Sequence, residues 1–163
     1  MNKICSKNEE VFILENFLSK KECKKYFNMI RDIGYQENIL PWNERVIDIT
    51  KDNIVNKVTK YINNFFNLNL IANQAEIQNH HVNSFSNLHI HDHLGREHIE
   101  YNSLIYLNDD FDQGHFITKN GIKIKPKLGM LTFFNGQKIW HGVEKVLKKD
   151  RKTIIFWWRK NEI

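Results

Sequence analysis

The apolar residues near the amino end of the chain follow a helical spacing in two segments. Ser19 and Glu22 have the spacing of a capping box, in which the two side chains bond backbone N–H groups at the start of a helix. Apolar residues continue at helical intervals, so we predict a first helix near residues 19–33 and a second over about 52–66. A short apolar run before them, residues 11–14, is typical of a strand.

From about residue 70 onward, the spacing of apolar positions changes to that of short strands. Runs of four to eight residues, alternating or wholly apolar, are separated by turn residues such as Asn, Asp and Gly. About eight such strands after a helical part predict a mainly β protein, a sandwich or barrel with N-terminal helices packed on one side. The expected strands cover residues 75–82, 88–93, 101–107, 115–118, 122–125, 130–134, 139–146 and 153–158.

Length and composition narrow the class of protein. The 163 residues are 41% hydrophobic and 12% aromatic, which suits a folded globular chain. We expect a single domain over residues 1–163, with a helical support over about 11–70 and a β core over about 71–158. The net charge of +5 comes partly from Lys-rich stretches that we interpret as solvated surface. Because no aromatic residues are interleaved with basic ones, the sequence does not favour nucleic-acid binding.

Cysteine content and hydropathy bear on the cellular compartment. The two cysteines, Cys5 and Cys23, have no metal-binding or redox spacing, so we expect reduced thiols in a cytoplasmic protein. The sequence has no secretory apolar segment and no stretch near the roughly 18 apolar residues of a membrane span. We therefore expect no membrane association, and the sequence leaves the oligomeric state open.

Three histidines, His89, His91 and His93, alternate along one predicted strand. They share one face, because successive side chains of a strand point to opposite sides. Leu88 and Ile90 on the other face suit packing against the helices, which would place the histidines inside the barrel. Buried imidazoles are costly without partners, and a metal ion supplies one. The alternative is an exposed edge strand whose histidines bind nothing.

A further histidine, His141, lies in a context that resembles a known family. Arg151 follows it by ten residues, in the order Asp-Arg-Lys-Thr. This resembles the C-terminal signature of the 2-oxoglutarate- and Fe(II)-dependent oxygenases, in their prolyl-4-hydroxylase-like branch. The strand and turn over residues 104–110, the Pro-x-x-Gly turn at 126–129 and the opening helix also resemble elements of that family. The resemblance runs from about residue 11 to 158.

The resemblance implies a fold and a reaction. The fold would be a double-stranded β-helix, which is jelly-roll-like and cupin-like, with supporting α-helices. The protein would be a 2-oxoglutarate-dependent dioxygenase of the hydroxylase type that uses Fe(II), 2-oxoglutarate and O₂. Its substrate would be a C–H bond of a peptide residue or a small molecule. His91 and His141 would be the catalytic iron ligands, since such sites place two histidines and usually one carboxylate on one face of the metal.

The same resemblance implies a binding site for 2-oxoglutarate. Arg151 would hold the far carboxylate with its two-pronged guanidinium, and Thr153 on the same strand face would add a hydroxyl donor. Tyr106 matches a position whose phenol often bonds the co-substrate. Trp157 shares the strand face of Arg151 and lies closer to the metal. The alternative role of Thr153, Tyr106 and Trp157 is ordinary lining of the barrel.

The chain departs from the family at its first metal motif, which is His-x-His here in place of His-x-Asp. Two such pairs are available, and His91 belongs to both. We expect the metal ligands His89, His91 and His141, with His93 or Asp92 as replacements for His89. A site of three histidines is one interpretation of this departure.

Other interpretations remain open. A carboxylate ligand could come from Glu97 or Glu100, and residues 112–115 carry Gln-Gly where the family often has Gly-Gly. The chain could instead be a cupin-like three-histidine metalloprotein without 2-oxoglutarate, such as a dioxygenase, an isomerase or a zinc enzyme. An inactive barrel used for binding is a third alternative. Arg151 discriminates between the 2-oxoglutarate-dependent oxygenase and these alternatives, because a protein that does not bind 2-oxoglutarate has no need of an inward-facing cation.

Overall fold

The computed structural model describes residues 1–32, 44–91 and 98–161. The helices in these ranges are α1 Lys20–Asp32 and α2 Asn53–Phe66. The strands are β1 Asn2–Ser6, β2 Glu9–Leu14, β3 Glu44–Asp48, β4 Leu70–His80, β5 Ser86–His89, β6 Tyr101–Tyr106, β7 Asp112–Gln113, β8 Phe116–Thr118, β9 Lys123–Ile124, β10 Leu131–Asn135, β11 His141–Val143, β12 Val146–Leu147 and β13 Arg151–Lys160. Neither described helix combines the length and the apolar character that crossing a membrane requires.

Both predicted helices form, and local hydrogen bonds determine where they begin. At the start of α1, the Ser19 N–H donates to Glu22 Oε2 at 2.8 Å and the Glu22 N–H donates to Ser19 Oγ at 3.3 Å, which is the predicted capping box. At the start of α2, the Asp52 carboxylate accepts from the Ile54 N–H at 2.9 Å. Asp52 also accepts a 2.7 Å hydrogen bond from the Tyr26 hydroxyl, so this cap connects the two helices.

Two antiparallel sheets face each other and form the framework. Among the described residues, the larger sheet has seven strands in the order β1-β2-β10-β6-β13-β4-β3, and the smaller has four in the order β5-β11-β8-β9. β12 and β7 form a separate pair. Both helices pack on the outer face of the larger sheet, and the smaller sheet covers its inner face. This arrangement is the expected double-stranded β-helix with supporting helices.

Side-chain alternation along β13 separates two cores. Ile154, Phe156 and Trp158 point outward and join the core formed with the helices. Arg151 and Thr153 point the other way and are buried between the sheets. The apolar residues that line this inner space are Val11, Leu104, Tyr106, Phe116, Ile122, Ile124, Met130, Phe134 and Ile139. The expectation that Arg151 and Thr153 share the inner strand face therefore agrees with the strand pairing.

Three strands lacked a sequence prediction, namely β1, β3 and the two-residue β7. β1 and β3 lie at the two edges of the larger sheet, where a strand has only one neighbour. β1 is short and largely exposed, and both strands mix charged with apolar residues. An edge strand such as β1 shows little hydrophobic periodicity, because little of its surface is buried.

The strand predicted over residues 88–93 is shorter and lies elsewhere than expected. The regular strand β5 ends at His89, and His93 lies outside the described residues. Leu88 is 38% exposed, so the expected packing of Leu88 against the helices is wrong. The reason is topological, because β5 belongs to the smaller sheet whereas the helices cover the opposite face of the larger one.

Candidate active site

Three imidazoles converge between the sheets. His89 ends β5, His141 begins β11, and the two residues are directly paired across these antiparallel strands. His91 follows β5 and meets them, so that one ring nitrogen of each histidine lies within 4.8 Å of the others. His91 and His141 are buried, whereas His89 is partly exposed. The group has the size and the donor type of a metal site.

Backbone carbonyls orient two of the rings. His89 Nδ1 donates to the Asn87 carbonyl at 2.9 Å, and His141 Nδ1 donates to the Ile139 carbonyl at 2.8 Å. Because a carbonyl oxygen only accepts, Nδ1 carries a proton in each ring, and in a neutral imidazole of this tautomer Nε2 is the free donor atom for a metal. This is the usual second contact of a metal-binding histidine. Both rings are therefore in the tautomer that coordinates a metal through Nε2.

The environment of His141 favours its neutral form. Phe134 packs edge-to-face against the ring and Phe116 stacks on it, at centroid distances of 4.6 and 5.9 Å. Burial lowers the pKa of His141 well below its ordinary value, and the neighbouring His89 and His91 lower it further. A neutral imidazole is the form that binds metal, so the site does not require a proton to leave His141 near neutral pH.

His91 is positioned by the turn after β10. Its backbone N–H donates to the Gly136 carbonyl at 2.9 Å. A Cβ atom on Gly136 would overlap Asn102 Oδ1 and would stand 3.0 Å from His91 Nδ1, so only glycine permits this close approach. Asn102 is fully buried, and its Nδ2 donates to the Phe156 carbonyl at 3.3 Å. Its Oδ1 finds no donor among the described residues and, like His91 Nδ1, lies close to Gly136.

A buried cation occupies the same inner space. Arg151 is 1% exposed, and its guanidinium carbon lies 5.1 Å from the centre of the Tyr106 ring. Its Nη1 is 3.5 Å from Nδ1 of His80, which lies directly opposite on β4. Burial lowers the pKa of Arg151 from its ordinary value while Tyr106 acts in the opposite sense, and an arginine remains a cation at neutral pH.

Several polar atoms around this cation lack a protein partner. In the parts of the chain that the structure describes, Arg151 Nε and Nη2, the Tyr106 hydroxyl and Thr153 Oγ1 are buried without a hydrogen bond. Thr153 and Tyr106 are directly paired across β13 and β6. A buried donor without an acceptor destabilises a protein by about 1–3 kcal/mol, so four such atoms together indicate a ligand. Donors around a guanidinium suit a carboxylate.

The comparison with known families agrees with this geometry. The family model of the 2OG-Fe(II) oxygenase superfamily, where 2OG is 2-oxoglutarate, matches residues 68–159. The chain belongs to this superfamily. The superfamily takes iron and 2-oxoglutarate, and both the three imidazoles and the unpaired donors around Arg151 fit that pair of ligands.

Proteins similar to this chain include prolyl hydroxylases. Prolyl 3-hydroxylase 2 of Mus musculus is 42% identical over 65 residues, a match that covers 36% of this chain and 9% of that protein. The viral collagen prolyl hydroxylase of Paramecium Bursaria Chlorella virus-1, solved with 2-oxoglutarate, superimposes with a TM-score of 0.75 at 17% identity, over 93% of this chain and 96% of that one. A prolyl-4-hydroxylase of Pseudomonas putida gives 0.75 at 16% identity, over 95% of each chain. The expected superfamily is confirmed by the family model, and the expected fold agrees with these solved structures.

The carboxylate that usually completes an oxygenase triad does not belong to the described metal group, which contains histidines alone. The alternative ligand Glu100 is not part of this described group, and its carboxylate pairs with Lys160 at 2.9 Å. Asp92 and Glu97 lie outside the described residues, as His93 does.

Some residues at this site had no sequence-based assignment. His80 and Asn102 approach Arg151 and His91 from neighbouring strands, and Trp157 is directly paired with Asn102. The sequence did single out Asn102 in part, since Asn102 and Ser103 are the two small polar residues of a strand whose other residues are Leu, Ile and Tyr. The role of His80 is not indicated by the sequence, because His80 and Arg151 are 71 residues apart and meet only through the pairing of their strands.

The structure also explains why this chain can have Gln-Gly at residues 113–114, where the family often has Gly-Gly. Gln113 adopts a left-handed backbone conformation with φ of 56°, which is the conformation that favours glycine. The next residue, Gly114, has φ of 58°, and a Cβ there would lie 3.2 Å from Arg151 Cδ. The chain therefore keeps glycine where the backbone approaches the arginine and tolerates glutamine at the preceding position.

Proposed function

We propose that this chain is an Fe(II)- and 2-oxoglutarate-dependent oxygenase that hydroxylates a C–H bond of a peptide residue or of a small molecule. The observation that carries the proposal is the buried Arg151, whose Nε and Nη2 have no acceptor in the described residues. A buried cation is unfavourable without an anion, and a three-histidine metalloprotein that does not use 2-oxoglutarate has no need of one. The cupin-like alternative leaves Arg151 unexplained.

The residues divide into two sets with separate tasks. His89, His91 and His141 would hold the iron on one side, which leaves positions open for 2-oxoglutarate and O₂. The bound iron and 2-oxoglutarate would supply the oxidation, in which O₂ converts 2-oxoglutarate to succinate and CO₂ and hydroxylates the substrate. Arg151 would bind and orient the far carboxylate of 2-oxoglutarate with its two unpaired N–H groups.

Neighbouring side chains would complete the co-substrate site. Thr153 and Tyr106 each present a buried hydroxyl beside Arg151, so both can donate to the carboxylate. Trp157 lies further along β13 on the same strand face, where it would border the metal side of the co-substrate. Phe116 and Phe134 pack around His141 and keep water from that side of the site.

The proposed class of substrate is inferred from the proteins that this chain resembles. The chain spans 9% of the curated prolyl 3-hydroxylases that it matches, so their substrate is a proposal for this chain. Because the relatives are named as prolyl hydroxylases, a prolyl residue in a peptide is the first substrate to test, and a small molecule is the second. Succinate formed from 2-oxoglutarate should rise with a proline-containing peptide and not with its alanine counterpart. Equal stimulation by both peptides would reject a prolyl substrate.

The decisive experiment is a titration of the anaerobic Fe(II) protein with 2-oxoglutarate, followed by its metal-to-ligand absorption band. Arg151→Ala should retain iron and lose about 2–5 kcal/mol of 2-oxoglutarate binding, which is tens- to thousands-fold in affinity. Arg151→Lys should recover only part, since an ammonium lacks the planar fork. Arg159→Ala is the matched control, because Arg159 lies near the far end of the same strand.

Two results would contradict the proposal in different ways. Absence of the band in the wild-type protein would favour the three-histidine metalloprotein without 2-oxoglutarate, or the inactive barrel if iron does not bind either. A band of equal affinity in Arg151→Ala would show that another residue holds the far carboxylate. Lys152 is a poor substitute, since its ammonium lies 3.8 Å from the centre of the Phe27 ring on the helix side.

A further inference from the structure

Arg151 is the first residue of β13, at a point where that strand is paired regularly on one side only. The pairing of β13 with β4 begins at Arg151 itself, whereas its pairing with β6 begins two residues later, where Thr153 lies opposite Tyr106. Because β6 ends at Tyr106, the residues that follow this strand contact the backbone around Arg151. The first of them, Leu107, donates its N–H to the Lys152 carbonyl at 2.9 Å.

The side chain of Asn108 then takes the place of a neighbouring strand on both sides of Arg151. Its Nδ2 donates to the Asp150 carbonyl at 2.9 Å, and its Oδ1 accepts from the Lys152 N–H at 2.9 Å. These backbone groups belong to the residues immediately before and after Arg151. Asn108 is buried, and a buried backbone group without a partner is destabilising. This one amide therefore holds the backbone that carries the guanidinium.

An amide is the side chain that matches this set of contacts. Asn108 Nδ2 donates a second hydrogen bond to Asp110 Oδ1 at 2.9 Å, so its two N–H groups face acceptors while Oδ1 faces a donor. Turning the amide over would place Oδ1 against two acceptors, so its orientation is determined. The Asp110 carboxylate is held in turn by the Lys149 ammonium at 2.6 Å. An aspartate at position 108 would keep the acceptor and lose both donors.

The guanidinium depends on this backbone for its position. Its Nη1 is 3.5 Å from His80 Nδ1, which is a long contact, and its Nε and Nη2 have no partner in the described ranges. A displacement of about 1 Å at a binding group can cost on the order of a hundredfold in function. We propose that Asn108 is a positioning residue, which holds the backbone of Arg151 so that the guanidinium meets the far carboxylate of 2-oxoglutarate. This inference rests on the proposed function and adds a residue to the same site.

The first test is the titration of the anaerobic Fe(II) protein with 2-oxoglutarate, followed by its absorption band. Asn108→Ala and Asn108→Asp should each retain iron and bind 2-oxoglutarate at least about tenfold more weakly, because both lose the bond to the Asp150 carbonyl. In the Arg151→Ala background, Asn108→Ala should cause no further loss of affinity, since the residue that it positions is gone. Wild-type affinity in both Asn108 variants, or a further loss in the double variant, would overturn the proposal.

The matched control is Asn63→Ala, because Asn63 bonds the backbone in the same two-way manner elsewhere in the fold. Its Nδ2 donates to the Leu70 carbonyl and its Oδ1 accepts from the Leu70 N–H, both at 2.9 Å, in the last turn of α2. Asn63→Ala should lower the free energy of unfolding in urea, as Asn108→Ala does, and leave 2-oxoglutarate affinity unchanged. Weaker 2-oxoglutarate binding in Asn63→Ala would show that lost stability alone lowers affinity, and would overturn the proposal.

A second test needs neither metal nor 2-oxoglutarate. In the NMR spectrum of metal-free protein labelled at its arginine nitrogens, the Nε–H signal of Arg151 is identified by its loss in Arg151→Lys. Asn108→Ala and Asn108→Asp should shift or broaden this signal, and Asn63→Ala should leave it in place. An unchanged signal in both Asn108 variants would overturn the proposal. If the signal changes as expected but the wild-type protein gives no 2-oxoglutarate band, the proposed function fails while the role of Asn108 in placing Arg151 stands.

Discussion

Arg151 and His80 lie directly opposite each other on β13 and β4, and Nη1 of the guanidinium is 3.5 Å from Nδ1 of the imidazole. Arginine only donates hydrogen bonds, so His80 Nδ1 is the acceptor and the ring is neutral. Burial, helped by the charge of Arg151, lowers the pKa of His80 to about 3. His80 therefore supports the guanidinium without neutralising it, which preserves the charge of Arg151 for an anion.

This pair predicts how acid affects the stability of the metal-free protein. An unfolded histidine has a pKa near 6.5, whereas the pKa of folded His80 is about 3. Between these values the unfolded chain binds a proton that the folded chain does not. The contribution of this histidine to the free energy of unfolding is therefore complete above the unfolded pKa. It falls as the pH decreases, by at most about 1.4 kcal/mol per pH unit for each such histidine. The pKa of His141 is also lowered in the folded protein, so His141 adds to this loss of stability in acid.

Urea unfolding of the metal-free protein between pH 7 and about 5.5 measures this slope, because most carboxylates stay ionised there in both states. His80→Gln should give a shallower fall of the unfolding free energy than the wild-type protein, since glutamine does not titrate. The slope should not vanish, because His141 remains. An unchanged slope in His80→Gln would show that His80 is not the buried neutral group inferred from its surroundings.

A second prediction concerns Thr153, whose buried hydroxyl has no partner in the described ranges. A hydrogen bond to a charged group contributes about 1.5–3 kcal/mol. Thr153→Val keeps the shape of the side chain and removes the hydroxyl, so 2-oxoglutarate affinity should fall about tenfold to a hundredfold with iron binding unchanged. Thr153→Ser should restore most of the affinity. The band titration measures both, and equal affinity in all three proteins would assign Thr153 to barrel lining.

Local patterns were sufficient to predict much of this fold. The capping box at Ser19 and Glu22 and the apolar spacing after Asp52 each depend on residues close in sequence, and both helices form at the expected positions. The alternation along β13 likewise places Arg151 and Thr153 on the inner face. These features could be predicted because the period of 2 residues in a strand or 3.6 in a helix determines which way each side chain points. That holds whichever strand or helix lies next to it.

Features that depend on distant strands could not be predicted in the same way. The placement of Leu88 requires knowing which sheet contains β5, and that is a property of topology. The roles of His80 and Asn102 require the registers of β4 with β13 and of β6 with β13. The convergence of His89 and His141 was inferred from the family resemblance, because pattern alone does not bring β5 next to β11.

A third prediction separates metal-binding histidines from the others. His91→Ala and His141→Ala should each lose the metal during gel filtration, because each removes one of three ligands. His98→Ala is the matched control, since His98 is exposed and its Nε2 lies 3.1 Å from Asn73 Oδ1 outside the metal group. Metal content per chain is measured by elemental analysis. Full metal retention in either His91→Ala or His141→Ala would place the metal on other residues.

The fourth prediction concerns Asn102, which has an unpaired Oδ1 in the described residues beside Gly136 and the His91 ring. A metal-binding histidine usually donates its second ring N–H to an oxygen, and we expect Asn102 Oδ1 to take this role for His91 once the metal is bound. Loss of such an acceptor typically lowers metal affinity about 10- to 100-fold. We therefore expect Asn102→Leu to bind metal more weakly by this factor in a competition with a chelator. Asn102→Asp keeps an oxygen at the same place and should bind metal more tightly than Asn102→Leu. Circular dichroism checks that both variants fold, and wild-type affinity in Asn102→Leu would limit Asn102 to its bond with the Phe156 carbonyl.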